Sequence, residues 1–172
     1  LIYFIRATGS KLADVASLVL RIVLACVIFP HATQKFLGWF GGHGFQATLF
    51  SFEHNLKLPF ILALLAILAE FFGTLGVFSG LLTRLSALGI GTVMVVAALT
   101  VHLKNGFFMN WGGQKAGEGI EYFLLAVGIA LALLILGGGK WSLDYALFKL
   151  LNKEKKREHS LQEERQAQQV SH

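Results

Sequence analysis

Cysteine occurs once in this sequence, at Cys26 inside an apolar block, so no internal disulfide, Cys-x-x-Cys redox pair or thiolate metal cage can form within one chain. Charge is scarce as well: Asp, Glu, Lys and Arg make up 15% of the 172 residues, against 55% hydrophobic ones. With a mean hydropathy of +0.62, that balance excludes a small soluble domain. Several chemical motifs are missing. Gly137-Gly-Gly-Lys140 is followed by Trp141 instead of Ser or Thr and is preceded by no strand, so it is not a phosphate loop. There is no Gly-x-Ser-x-Gly, no His-Glu-x-x-His, no haem-attachment motif and no pair of mid-span histidines to clamp a haem. Nucleic acid is excluded as a partner too. The net charge is +5, but seven of the fifteen Lys and Arg lie from Lys140 onward, five acids lie among them, and no aromatic-basic stacking groove accompanies them. A juxtamembrane segment against anionic lipid accounts for that excess.

What the sequence does have is long apolar blocks. A hydrocarbon core about 30 Å thick needs roughly 20 apolar residues in a helix, and four stretches approach that length. They run over residues 15–37, 59–79, 85–103 and 120–136. Gly38 to Gly44 ends the first, Gly80-Leu-Leu-Thr-Arg84 links the second tightly to the third, and Gly137-Gly-Gly139 stops the fourth. Helix contact in lipid relies on small residues, and Gly73, Gly76 and Gly80 in the second span, with Ala87 and Gly91 in the third, predict a close hairpin. The fold class expected is all-α: a polytopic four-transmembrane-helix bundle.

Outside the spans, Arg6, Lys11, Arg84 and the seven tail cations fall on one side, whereas Lys35, Lys57, Lys104 and Lys115 fall on the other. The richer side is expected to be cytoplasmic, placing both termini there and the connections Gly38–Leu58 and Lys104–Gly119 in the opposite compartment. The expected location is a bacterial cytoplasmic (inner) membrane. Leu1 to Ile5 is too short a run for a signal peptide. In the first outer connection Phe45, Leu49, Phe52 and Leu56 share one helical face, predicting an interfacial helix that lids the bundle or admits a ligand. Trp39, Trp111 and Trp141 sit where interfacial anchors belong. The chain thus divides into a membrane domain over residues 1–145 and a charged cytoplasmic tail over 146–172, the latter a surface helix fraying near Gln166.

An ionisable side chain inside a span is a functional-site hypothesis by default, since insertion near the centre costs roughly 3 kcal/mol even on lenient scales. Arg21 and Glu70 are two such residues, and the simplest account pairs them as an intramembrane ion pair. A second constellation gathers at the outer ends. His31 and Lys35 share a face at i, i+4, His102 closes the third span, and Glu118 and Glu121 open the fourth. Glu118 reads mainly as a helix N-terminal acid favoured by the macrodipole; Glu121, one turn inward, is placed to meet His102 or Lys35. The candidates for proton or quinone chemistry are therefore His31, Lys35, Glu70, His102 and Glu121. Glu-x-x-Glu with dispersed histidines is too weak a pattern to assign a metal.

These positions also carry a family likeness. Arg21, His31-Ala-Thr-Gln-Lys35-Phe, Phe40-Gly-Gly, Leu68-Ala-Glu70, Gly80-Leu-Leu-Thr-Arg84, Val101-His102-Leu-Lys-Asn-Gly-Phe-Phe108, Glu121-Tyr122 and Trp141-Ser-Leu-Asp144, in that order, resemble the DoxX family of small four-helix membrane proteins. The family is similar to DoxD, the membrane subunit associated with thiosulfate:quinone oxidoreductase. The resemblance implies a subunit linked to a membrane redox complex, among lipid and other membrane-protein subunits, although some family members have no assigned task. With the outer polar cluster, the first expectation is that it holds a quinone or quinone-like molecule near the outer leaflet, with no covalent cofactor. The chain carries no redox centre of its own, so it is not expected to be an enzyme alone. Two other classes stay open: a non-catalytic accessory subunit of a respiratory or photosynthetic assembly, and a small-solute carrier, for which four spans without an inverted repeat are a poor basis.

Overall fold

Lipid offers the backbone no hydrogen-bonding partner, so apolar runs of this length must satisfy their own amides and carbonyls as helices. The computed structural model describes residues 11–114 and 116–170. The expected start of the membrane domain with Leu1 to Arg6, Lys115 in the second long connection, and the last two tail residues lie outside the described residues. Among the described residues the chain is helical throughout, with no strand. Helix α1 spans Lys11–Phe36, α2 Gly44–His54, α3 Phe60–Ser79, α4 Thr83–Ala97, α5 Glu121–Leu136 and α6 Leu143–Val170. Beyond α4 the chain continues through a π-helical turn, Ala98–His102, and a 3-10 turn, Leu103–Asn105. The four expected apolar stretches coincide to about a turn with α1, α3, α4 with its continuation to Asn105, and α5.

Three of these helices, α1, α3 and α4 with its continuation to Asn105, are long and apolar enough to cross a membrane. The fourth, α5, has 16 residues and is apolar along its length. That is about 24 Å at 1.5 Å per residue. The helices close a ring in which α1 packs on α3, α3 on α4, α4 on α5 and α5 on α1. Leu24, Ile28, Val77, Ile90 and Leu133 fill its axis. Outward, the ring presents Val19, Leu65, Phe72, Leu88, Leu125 and Ile135, large apolar side chains that only a hydrocarbon solvent tolerates in such number. The helix expected in the first outer connection is present as α2, which packs on α1 and α3 with Phe45 edge-on to Phe36 at a ring separation of 5.7 Å.

The ends of the bundle differ. At the near end, where α1 and α6 begin, small residues let α3 and α4 approach. A Cβ on Gly73 would sit 3.1 Å from Ile90 Cγ1 and 3.2 Å from the Ser86 carbonyl. Gly91, by contrast, faces Ala130 of α5, where a Cβ would meet the Ala130 methyl at 3.2 Å, so it serves the neighbouring contact instead of the hairpin. Gly80 ends α3 at φ 71°, a left-handed conformation that closes the hairpin. The charged tail forms α6, whose helix persists to Val170, past the Gln166 at which it was expected to fray. Gln, Glu, Ala and Arg are all good helix formers, which favours continuation there.

Gly80→Ala tests the near end. The new Cβ would lie 2.5 Å from Ser142 Cβ and 2.7 Å from Arg21 Cζ, in a conformation that L residues avoid. We expect destabilisation on the order of 2 kcal/mol or more, read as a lower thermal midpoint in detergent. Gly128→Ala, with nothing within 4 Å of the added carbon, should leave the midpoint unchanged or raise it.

Candidate ligand site at the far end of the bundle

The buried polar residues separate into two groups. Asp14, Ser17 and Arg21 recur along the inward face of α1, on the same stripe as Leu24 and Ile28, and all three are buried. Arg21, 2% exposed, does not reach Glu70. Its Nε donates to the Val77 carbonyl at 2.8 Å and its Nη2 to that of Phe78 at 2.8 Å, in the last turn of α3. Its Nη1 donates to the carbonyls of Gly138 and Trp141, both at 2.9 Å. The expected Arg21–Glu70 ion pair is therefore wrong. The planar guanidinium suits several backbone acceptors at once, and a helix C-terminus, rich in unpaired carbonyls, attracts a cation.

The same end holds Asp144, whose carboxylate accepts from the Leu82 amide at 2.7 Å and the Thr83 amide at 2.9 Å, capping α4. Leu82 sits in the left-handed region at φ 47°, and this cap holds it there. Ser17 Oγ donates to the Gly137 carbonyl at 2.5 Å. Asp14 Oδ1 accepts from the Lys140 amide at 3.1 Å. Its Oδ2 lies 3.5 Å from Lys140 Nζ, too long for a hydrogen bond, so that contact is electrostatic. Sequence reasoning missed Asp14 and Ser17, and met Asp144 only as part of a family motif, without a role. Their spacing of i, i+3 and i+7 with Arg21, for the first two, was the available signal.

At the far end Glu70, 1% exposed, takes Lys35 instead: Nζ lies 2.6 Å from both carboxylate oxygens. The ammonium is a compact point charge on a long stem, able to leave α1 and reach a carboxylate on α3. This pair lines a cavity of 660 Å³ that is apolar along most of its wall. His31, His102 and Tyr122 join Lys35 and Glu70 around it. Of the five residues singled out for proton or quinone chemistry, four thus surround one cavity.

Glu121 does not. Its Oε2 accepts from the Met109 amide at 3.2 Å, and Glu118 Oε2 accepts from the Asn110 amide at 2.5 Å. Both acids brace the second long connection instead of meeting His102 or Lys35 as expected for Glu121. A carboxylate at the mouth of a helix finds unpaired loop amides nearer than it finds a side chain across the bundle. Glu118 also contributes to the cavity wall.

The residue overlooked is Tyr122. Its hydroxyl, alone of the buried polar side-chain atoms around the cavity, has no hydrogen-bond partner among the described residues. Its ring lies 6.3 Å from that of His31. Tyr122 is on the same helical stripe as the buried Ala126, Ala130 and Leu133, and that phase could have revealed it. His102 arrives through the π-helical turn: an extra residue per turn rotates the positions beyond it, and the ring comes to stack obliquely on Phe123 at 4.2 Å. Its Nδ1 is 2.9 Å from the Glu118 carbonyl. A carbonyl only accepts, so Nδ1 carries the proton and a neutral ring keeps Nε2 as its free acceptor.

A ring of apolar helices with lipid-facing exteriors and charged groups buried inside defines a multi-pass helical membrane protein. The chain belongs to the DoxX family, whose sequence profile matches residues 16–103. It is 29% identical over 140 residues, 81% of this chain and 92% of the relative, to a Bacillus subtilis (strain 168) protein called "Putative oxidoreductase CatD". No solved structure matches it significantly.

The observed pairing has a measurable signature. Lys35→Met should cost roughly 3–5 kcal/mol of stability by stranding a buried carboxylate. Glu70→Gln should cost less, because the Lys35 side chain, 32% exposed against 2% for Glu70, can turn to a wetter position. The double mutant should recover much of the Lys35→Met loss, while Arg21→Met and Glu70→Gln should add. Coupling between Arg21 and Glu70 in thermal melts would contradict this arrangement.

Proposed function

We propose that the far-end cavity binds the head of a membrane quinone and that this protein serves as the quinone-holding subunit of a membrane redox complex. The observation that carries the reading is the buried, unpartnered hydroxyl of Tyr122, a residue that lines an apolar cavity beside an ion pair. A buried hydroxyl without a partner costs about 1–3 kcal/mol, so a ligand that supplies an acceptor is favoured. A quinone head is flat, largely apolar and carries two carbonyl acceptors. The fit with the lining is chemical: Tyr122 and Lys35 are donors, and the ring nitrogens of His31 and His102 can donate or accept a hydrogen bond.

A bound quinone supplies two-electron, two-proton redox chemistry, its electrons coming from a partner subunit that carries an electron-transfer group. The residues of this chain bind, orient and exchange protons. The Tyr122 hydroxyl donates to one carbonyl of the head. Glu70, paired with Lys35, is the base or reservoir at the depth of the site, and His102 Nε2, the ring nitrogen not engaged with Glu118, is the second proton-exchanging atom. The name of the Bacillus relative, an oxidoreductase, supports a redox setting.

The same reading counts α5 as a fourth crossing, puts the near end in the cytoplasm of a bacterium, and sets the cavity toward the outer leaflet of the inner membrane. The excess of Lys and Arg at the near end supports that orientation.

Tyr122→Phe is the direct test. Losing one donor should weaken binding of a short-chain benzoquinone about five- to tenfold in a titration with purified protein. The melting temperature should not fall, since the hydroxyl has no protein partner to lose. Equal affinity in the two proteins would remove the quinone from this cavity and favour an accessory, non-binding role.

A further inference from the structure

The cavity has an asymmetric wall. It is roofed at the far end by Phe52 and Leu56 from α2 and its following turn, and by Met109 from the second long connection. Between α3 and α4 the wall behaves differently. Leu62 and Leu65 on α3, and Thr92 and Val96 on α4, line the cavity and are at the same time exposed. Facing residues of a closed hairpin would be buried, as Gly73 and Val77 are against Ala87 and Ile90 in the near half. The hairpin is therefore shut at its glycine-rich near half and parted in its far half. Closest approach ends around Ala69 and Gly89, where a Cβ on the glycine would meet the Ala69 methyl at 3.4 Å.

The parted segment of α3 runs from Phe60 to about Ala69, roughly 15 Å of helix. It lies on the flank of α3 and α4, both of the length and apolarity that crosses a bilayer, so its surroundings are acyl chains and not water. The polar groups lie at its inner limit. Glu70 is near the middle of the 20-residue α3, close to the centre of a hydrocarbon core about 30 Å thick.

We propose that the site is loaded sideways from the bilayer through this α3–α4 cleft, and that its ligand is a lipid with a small uncharged head and a long apolar tail. In the bound state the head reaches Glu70, Lys35 and Tyr122 while the tail lies along Leu62, Leu65, Thr92 and Val96 and leaves into the membrane. Depth selects the class. A phosphate headgroup would have to abandon water to reach mid-membrane, at a steep desolvation cost, whereas an uncharged carbonyl-bearing head exchanges little hydration and gains a donor. This rests on the quinone reading for the identity of the head, and it makes a polyisoprenyl-tailed quinone the occupant in preference to a phospholipid or a water-soluble solute.

Spin-label accessibility in the full chain reconstituted into nanodiscs tests it without any turnover. Cys26→Ser removes the native thiol, and single cysteines at Thr92 and, separately, Val96 carry the nitroxide. A label at Leu75, 40% exposed, serves as the lipid-facing reference, and one at Glu154, exposed in the charged helix α6, as the water-facing reference. The expected result is oxygen accessibility at both cleft positions equal to that at Leu75, with collisions with a water-soluble nickel chelate as rare as there. Adding a decyl-chain benzoquinone should abolish most of the oxygen access in the cleft, and the same head without the chain should not. Free access of the nickel chelate, or exclusion of both reagents, would overturn the lateral route. High oxygen access that no quinone alters would leave the route standing and overturn the quinone as its occupant.

Discussion

Everything else in the bundle is arranged around the guanidinium of Arg21. In a hydrocarbon solvent a helix end is a liability, because its last carbonyls have no intrahelical donor and no water to turn to. Arg21 reaches the end of α3 and the Gly138–Trp141 turn beyond α5 from a third helix, and one side chain donates to two carbonyls of that last turn of α3 and two of the connecting turn. Asp144 performs the complementary task for the amides that open α4. Charge of each sign is thus placed where the helix dipoles favour it, and three of the ring's helices are tied at one level. The burial of an arginine and an aspartate is tolerated because backbone groups at helix ends and turns meet both side chains.

With the near end tied, the far end has freedom to do something else. There the polar groups face one another across a cavity instead of packing into turns. Lys35 and Glu70 neutralise each other across α1 and α3, and the Tyr122 hydroxyl is left without a protein partner. Among the described residues both ends keep a buried polar atom without a hydrogen bond, Asp14 Oδ2 and Thr83 Oγ1 at the near end and the Tyr122 hydroxyl at the far end. What distinguishes the far end is the cavity that its polar residues surround.

The hairpin of α3 and α4 carries that asymmetry into the packing. Glycines bring the helices together in the near half, and alanine, leucine, threonine and valine hold them apart in the far half. The π-helical turn at Ala98–His102 then re-aims the end of α4, so that His102 faces the cavity. Such widened turns cost helix regularity and persist where a side chain must be redirected.

Sequence alone determined the apolar helices, their approximate extents and a helix in the first outer connection, because these depend on hydrophobic runs, glycine punctuation and the dimensions of a bilayer. It also determined which residues were too costly to be incidental: Arg21, Glu70, His31, Lys35 and His102 all proved to be inside the bundle or around its cavity. Tertiary structure decided who partners whom. Arg21 and Glu70 were both recognisable as buried ions, yet the ring geometry brings Arg21 to helix ends and Lys35 to the carboxylate. Glu121 turned to loop amides for the same reason, and Tyr122, polar by a single atom, became prominent only when that atom was seen to lack a partner. Burial costs can be read from composition and position, but pairing depends on distance and direction between segments remote in the chain, which no linear spacing encodes.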